Sequence, residues 1–179
     1  MKTQINALVK AFMISLCGFL LLSGCKKQET AEADLVDNTD LTTCQTDANC
    51  SFLFANNVGM NERMLTFAKG QYRIFWAQTR YSSSSQTLFM MAPMIGDRFI
   101  LKKEDILAGR VKYDYGCTTC NFVAVYPIDG EVKGQRVKQA EGLPEKWLID
   151  ATLILGNVNT SIANYTVHIK QYYTPAVNN

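Results

Sequence analysis

Histidine is nearly missing from this 179-residue sequence, in which His168 is the only one. A metal centre built on several imidazoles is therefore excluded within one chain, and a Ser-His-Asp triad would have to use His168. No G-x-S-x-G segment offers that histidine a nucleophile, and no glycine-rich phosphate-binding motif occurs. His168 lies on the polar side of a strand-like run, where a solvated or hydrogen-bonded histidine is the ordinary reading. A fixed-period repeat is missing as well. So is helical periodicity, apart from one turn expected at 102–107.

Strong charge of either sign is also lacking. The chain carries 18 basic and 16 acidic residues. Without Lys2 and Lys10 the two counts are equal, and from residue 44 onward the basic excess is only three. That is too little to argue for nucleic acid as a partner. Nothing in the sequence calls for a cofactor.

The N-terminus is distinctive. Lys2 and Lys10 make a basic start without an acid, and "AFMISLCGFLLL" (11–22) is an apolar run of twelve. That suits the core of a secretory signal and is short for a membrane span. The run ends in Leu22-Ser23-Gly24-Cys25. This segment resembles the lipobox of bacterial lipoproteins. The resemblance covers only residues 1–25 and implies cleavage before Cys25, with lipidation of that cysteine. The competing reading is an ordinary cleaved signal. Several acyl chains, each methylene contributing about 0.8 kcal/mol, would hold the protein on a membrane. Lys26 stands where an aspartate would favour inner-membrane retention, so the resemblance implies export and an outer-membrane location in a Gram-negative cell.

The sequence then divides into 1–24 (signal), 25–43 (lipidated tether) and 44–179 (one domain). Residues 26–43 have no aromatic side chain and set five acids against two lysines. Such a stretch buries too little to offset its ordering, and disorder is expected.

From residue 51 onward apolar residues recur with period two. "QYRIFWAQTRY" (71–81) alternates Tyr72, Ile74 and Trp76 with Phe75, Ala77 and Thr79. "QTLFMMAPM" (86–94) is an apolar strand that Pro93 ends, after a serine turn at 82–85. A short strand precedes the helical turn. "RVKYDY" (110–115) and "NFVAVYPI" (121–128) read as adjacent antiparallel strands. Asp129-Gly130 reads as a hairpin turn after them, and Gly134 as a bulge. "KWLIDATLILG" (146–156) reads as a strand buried on both faces, and "NYTVHIKQYY" (164–173) as the last one. Eight to ten strands are expected. The fold expected is an all-β antiparallel sandwich, immunoglobulin-like or jelly-roll-like, with a closed barrel as the alternative.

Six cysteines are present. Cys17 belongs to the signal and Cys25 to the lipid site, which leaves Cys44, Cys50, Cys117 and Cys120. An even number in an exported domain favours disulfides, with three connectivities open. A turn already brings positions i and i+3, here Cys117 and Cys120, near bonding distance, so local pairs need the fewest assumptions. Cys117-Thr-Thr-Cys120 could instead be a redox dithiol, though a strand rather than a helix follows it. All four together could hold zinc. Met90, Met91 and Met94 offer soft ligands for copper, or are core filler. Asp97, Asp114, Asp129 and Asp150 could include a hydrolytic carboxylate pair, though surface acids are the default. Tyr72, Trp76, Tyr113, Tyr115, Tyr172 and Tyr173 could line a carbohydrate or peptide surface, or cover a sheet face.

Three functions follow in order of economy. The first is a lipid-anchored binding module for an envelope protein, peptide or glycan. The second is an envelope enzyme exchanging thiols and disulfides through Cys117/Cys120. The third is a copper- or zinc-handling lipoprotein.

Overall fold

The computed structural model describes residues 36–61, 65–120, 123–157 and 163–176. The signal segment, Cys25 and the first part of the tether lie outside them. Among the described residues the fold is all-β. The strands are β1 (Asn49–Met60), β2 (Phe67–Lys69), β3 (Tyr72–Arg80), β4 (Ser84–Pro93), β5 (Arg98–Leu101), β6 (Val111–Cys117), β7 (Tyr126–Arg136), β8 (Trp147–Gly156) and β9 (Tyr165–Pro175). Between β5 and β6 comes the helical turn α1 (Lys103–Asp105), which widens into a second turn, Ile106–Arg110. The Lys102 N–H donates to Asp105 Oδ2 (3.1 Å) and fixes its start. Gly109, at φ +80°, ends it.

The strands form one curled sheet in the order β5-β7-β8-β9-β1-β3-β4-β6, with β2 beside the end of β1. Every pairing is antiparallel except β1 with β9, which run parallel through Leu53↔Thr174 and Phe54↔Pro175. This seam divides the sheet into two arms that face each other like the layers of a sandwich. The result is a half-barrel, and among the described residues β5 and β6, the two ends of the order, are not paired with each other.

Alternation decides which side chains fill the space between the arms. Phe75 and Ala77 of β3 lie opposite Met90 and Leu88 of β4, and all four are buried. From the other arm come Trp147, Ile149, Ala151 and Leu153 of β8, with Tyr173 of β9. Phe75 sits at the centre. Its ring lies 5.5 Å from Phe99, 5.5 Å from Trp147 and 5.7 Å from Tyr173. Ile106, from the turn after α1, is 2 % exposed and adds to the same core. The helical turn is thus held down by an apolar contact.

Three sequence expectations are corrected. First, β6 does not pair with the following strand. It pairs with β4, and that register sets Val111 opposite Met90 and Tyr113 opposite Leu88. The exchange is apolar burial against short chain connection, and burial wins. The return strand begins only at Tyr126. Second, Asp129-Gly130 is no hairpin. It lies inside β7, at a bulge where register shifts between Pro127 and Asp129. Gly130 has φ +127°, and a Cβ there would come within 2.2 Å of the Thr152 carbonyl oxygen. The glycine serves a close backbone approach rather than a reversal. Third, Gly134 stays in regular register with Phe99 and Ile149. Its missing Cβ makes room for the Phe99 ring, whose Cε1 would be 2.1 Å away.

If Phe75 joins the arms, Phe75→Ala should lower unfolding free energy by about 3–5 kcal/mol in denaturant titration. Exposed Ile95, at 88 %, should tolerate Ile95→Ser within about 0.5 kcal/mol.

Candidate ligand cleft and its flanking ion pairs

At one end of the half-barrel the arms part and leave an open cleft of about 830 Å³. One wall is β6, with Val111, Tyr113 and Tyr115 on its core-facing side. The other is the returning chain from Val123 to Pro127. Ile106 and Leu107 close the side, and Tyr165 of β9 reaches in from the opposite arm. Large apolar side chains stay exposed here: Leu107, Val123, Tyr126 and Tyr165. Exposed apolar residues scattered singly mean little, but several around one concavity suit a ligand site.

Tyr113 of β6 and Tyr165 of β9 both line the cleft. Burial, followed by the interaction with the Tyr165 side chain, pushes the Tyr113 phenol well above its usual range. It therefore stays protonated at neutral pH and offers the cleft a polar contact. The Tyr115 hydroxyl lies 3.8 Å from Cys120 Sγ. The segment before β7 is held from outside by Asn157, whose Nδ2 donates to the Ala124 carbonyl (2.8 Å).

The four domain cysteines form two local pairs. Cys44 and Cys50 have Cα atoms 5.8 Å apart, and Cys117 and Cys120 5.5 Å, both within disulfide reach. Both pairs sit toward the cleft end of the sheet. They are not close to one another. Cys50 shares a row with Thr79, Gln86 and Tyr115 across β1, β3, β4 and β6. That is three strand spacings, roughly 14 Å, with Cys117 two residues further along. One tetrahedral zinc site needs all four sulfurs about 2.3 Å from a common centre, and this arrangement does not supply it.

The methionines do not converge either. Met90 is fully buried in the core beside Phe75, and Met91, its strand neighbour, faces the opposite way. Met94 lies beyond the end of β4. The carboxylates are largely engaged by bases. Asp97 pairs with Arg136 (2.6 Å), Asp129 with Lys103 (2.6 Å) and Asp150 with His168 (3.0 Å). Asp114, on the cleft wall, is exposed. Among the aromatics, Tyr113 and Tyr115 line the cleft, Tyr173 is core, and Trp76 is covered by Phe67 at 4.8 Å. Tyr72 and Tyr172 carry cations over their rings, Arg110 at 5.9 Å and Lys146 at 4.1 Å.

At the far end a second polar cluster forms around the buried Arg73 and Trp147. Arg73 stacks on Trp147 (4.3 Å), donates through Nε to Asn56 Oδ1 (2.6 Å) and lies 3.5 Å from Glu145. Trp147 Nε1 donates to the same carboxylate (2.8 Å). Burial pulls the Arg73 guanidinium below its usual value, opposed by Glu145.

The expectation that the tether is disordered through residue 43 is corrected at its distal end. The Thr42 N–H donates to the Lys170 carbonyl (2.7 Å), and the Lys170 N–H donates to Thr42 Oγ1 (2.8 Å). Gln171 Nε2 donates to the Thr42 carbonyl (2.9 Å). The N–H and C=O of one strand residue point to the same edge, so Thr42 caps β9 on the side away from β8. Lys170 Nζ, nearly buried, reaches Asp37 Oδ1 at 2.7 Å and Asp150 Oδ2 at 3.7 Å. One of the acids that made the tether look featureless thus differs from the rest. Asp37 has a specific partner 133 residues away, which composition does not reveal.

No protein-family model, curated protein or solved structure matches the chain. The class that the structure defines is therefore architectural: an all-β half-barrel with an end cleft.

The Asp37 clamp has a defined pH dependence. The hydrogen bond from Lys170, with further ones from Thr39, holds the Asp37 carboxyl well below the usual carboxylate range. Its contribution is complete above the ordinary value of about 3.9 and fades as pH falls below that. Lys170 is shifted up by Asp37, so its contribution is complete below its ordinary value of about 10.4 and is lost as pH rises through the raised value. The Thr42 amide signal in NMR should be constant from about pH 5 to 9 and change only as pH falls well below the ordinary carboxylate value of about 3.9, through the lowered Asp37 value. Asp37→Asn should bring the same change at neutral pH. An unaltered Thr42 signal in that variant would show that Lys170 does not hold the segment.

Proposed function

We propose that the protein is an exported lipoprotein, anchored through Cys25, whose β-domain is a binding module that takes its ligand into the end cleft. The observation carrying this reading is the tyrosine-rimmed concavity formed by Tyr113, Tyr115, Tyr126 and Tyr165 over an apolar floor at Val111 and Ile106. Tyrosines of this kind present an apolar body with a polar tip, which suits a surface that is wet until occupied. The lining side chains are mostly uncharged, with Lys112 and Asp114 as one charge of each sign. A ligand with a net charge would find no matching field there. The ligand is therefore an uncharged, partly apolar surface of an envelope protein, peptide or glycan.

Export and anchoring rest on the Leu22-Ser23-Gly24-Cys25 segment and agree with the two paired sets of cysteines. The placement on an outer membrane rests on Lys26 alone. Nucleic acid has no role in this reading. A second reading, catalytic thiol–disulfide exchange, draws on the exposure of Cys120. Against it stands that no helix N-terminus lies beside the pair among the described residues, and that an extended strand leads into Cys117.

Two measurements test the proposal. Cys25→Ala should move the protein from the membrane fraction to the soluble one, and retention would sink the anchor. In the soluble form, the neutral fluorescent probe N-phenyl-1-naphthylamine should bind. Tyr126→Asp, at an exposed position, should weaken that binding at least fivefold while leaving the melting temperature within a few degrees. Equal binding by the variant would remove the cleft from the account.

A further inference from the structure

The Cys117–Cys120 pair stands where the two cleft walls meet. β6 forms one wall, ends at Cys117, and the chain returns as the other wall from Val123. Cys120 Sγ touches the hydroxyl of Tyr115, itself a wall residue. The returning segment 123–125 belongs to no strand. The described hydrogen bond that holds it comes from a side chain, Asn157 to Ala124. β7 rejoins the sheet only where Tyr126 meets Gly156. The wall is therefore weakly tied by the sheet, and the covalent link at its start carries much of its placement.

Such a link closes a very short loop, so it adds little to global stability. The core around Phe75 and Trp147 contains neither Cys117 nor Cys120. Opening the link should loosen one wall and leave the fold standing. The link is also reachable, because Cys120 is exposed and Cys117 half-buried. Exposed disulfides are the ones that exchange most readily with thiols.

We propose that Cys117–Cys120 is a redox latch on the cleft: oxidised it holds the 123–127 wall in the binding position, and reduction by a dithiol releases the ligand. The thiolate of the dithiol attacks Cys120 Sγ, the accessible sulfur. The Cys117–Cys120 bond breaks, a mixed disulfide forms, and Cys117 leaves as a thiolate that takes up a proton. The second thiol of the reductant then attacks its own sulfur in the mixed disulfide and frees Cys120. Two electrons pass from the dithiol, which becomes a disulfide, to the protein, which gains two thiols. The inference rests on the cleft being the ligand site.

The test compares the oxidised soluble domain, the same domain reduced with dithiothreitol, and a Cys117→Ser/Cys120→Ser variant that leaves Cys44–Cys50 paired. Thiol counting confirms the state of each, and hydrogen–deuterium exchange is read alongside N-phenyl-1-naphthylamine affinity. Reduction and the double variant should both raise exchange in 123–127 at least tenfold, leave β3 and β8 protected, and weaken the probe at least fivefold. Unchanged exchange in 123–127 in the double variant overturns the latch. So does increased exchange with an unchanged probe affinity. If the oxidised protein binds no probe while exchange still rises, the latch moves the wall but the ligand reading fails, and the proposed release is overturned with it.

Discussion

Phe75 is the contact through which the two arms of the sheet become one domain. It projects from β3 of one arm and meets Phe99, Trp147 and Tyr173, all from the other. Edge-to-face and stacked ring pairs each add about 0.5–1.5 kcal/mol beyond burial, and they fix orientation as well as distance. Once this cluster sets the spacing at the middle, the parallel β1–β9 seam can be brief. The Phe99 ring needs space, and Gly134 gives it. Ile106 is drawn in beside the same core, which seats the helical turn and Leu107 next to the cleft. The cleft is thus a consequence of where the aromatic packing stops. Beyond Leu88 and Val111 the inward-facing residues become Tyr113, Tyr115 and Tyr165, whose hydroxyls need partners or water.

The same organisation explains the contrast between the two ends. The far end is closed by Arg73 lying over Trp147 and tied to Asn56 and Glu145, a polar plug with its charge compensated. The cleft end has hydroxyls, exposed apolar side chains and two cysteine pairs instead. Local staples there hold turns that the core does not reach. The segment 37–42, fastened to Lys170, adds a tie at the outer edge of β9. Under the proposed anchoring through Cys25, the eleven residues 26–36 lie between the lipid site and Asp37. Extended, they span at most roughly 40 Å.

How much of this the sequence carried depends on whether the cause was local. The alternation in β3, β8 and β9 is local, and those strands fall where period two places them. Pairing Cys44 with Cys50 and Cys117 with Cys120 was also favoured by short spacing. The failures share a long-range cause. Asp129-Gly130 has the composition of a turn, but a close approach by Thr152 fixes its conformation. "NFVAVYPI" has the composition of a buried strand, yet its Val123 and Tyr126 are exposed as a cleft wall. β6 chose β4 because of where Val111 and Tyr113 could be buried. Tyr113 and Tyr115 were named among the candidate surface aromatics. Tyr126, Tyr165 and Leu107 carried no signal that separates a cleft from a core.

The central claim is that binding happens at the open end and not elsewhere on the half-barrel. Methyl-resolved NMR during titration with the neutral probe tests it most directly. Val111, Val123 and Leu107 methyls should shift together and saturate with one affinity, while those of Val132 and Leu153 in the closed core should not move. Shifts confined to other surfaces, or spread evenly through the core, would contradict the account.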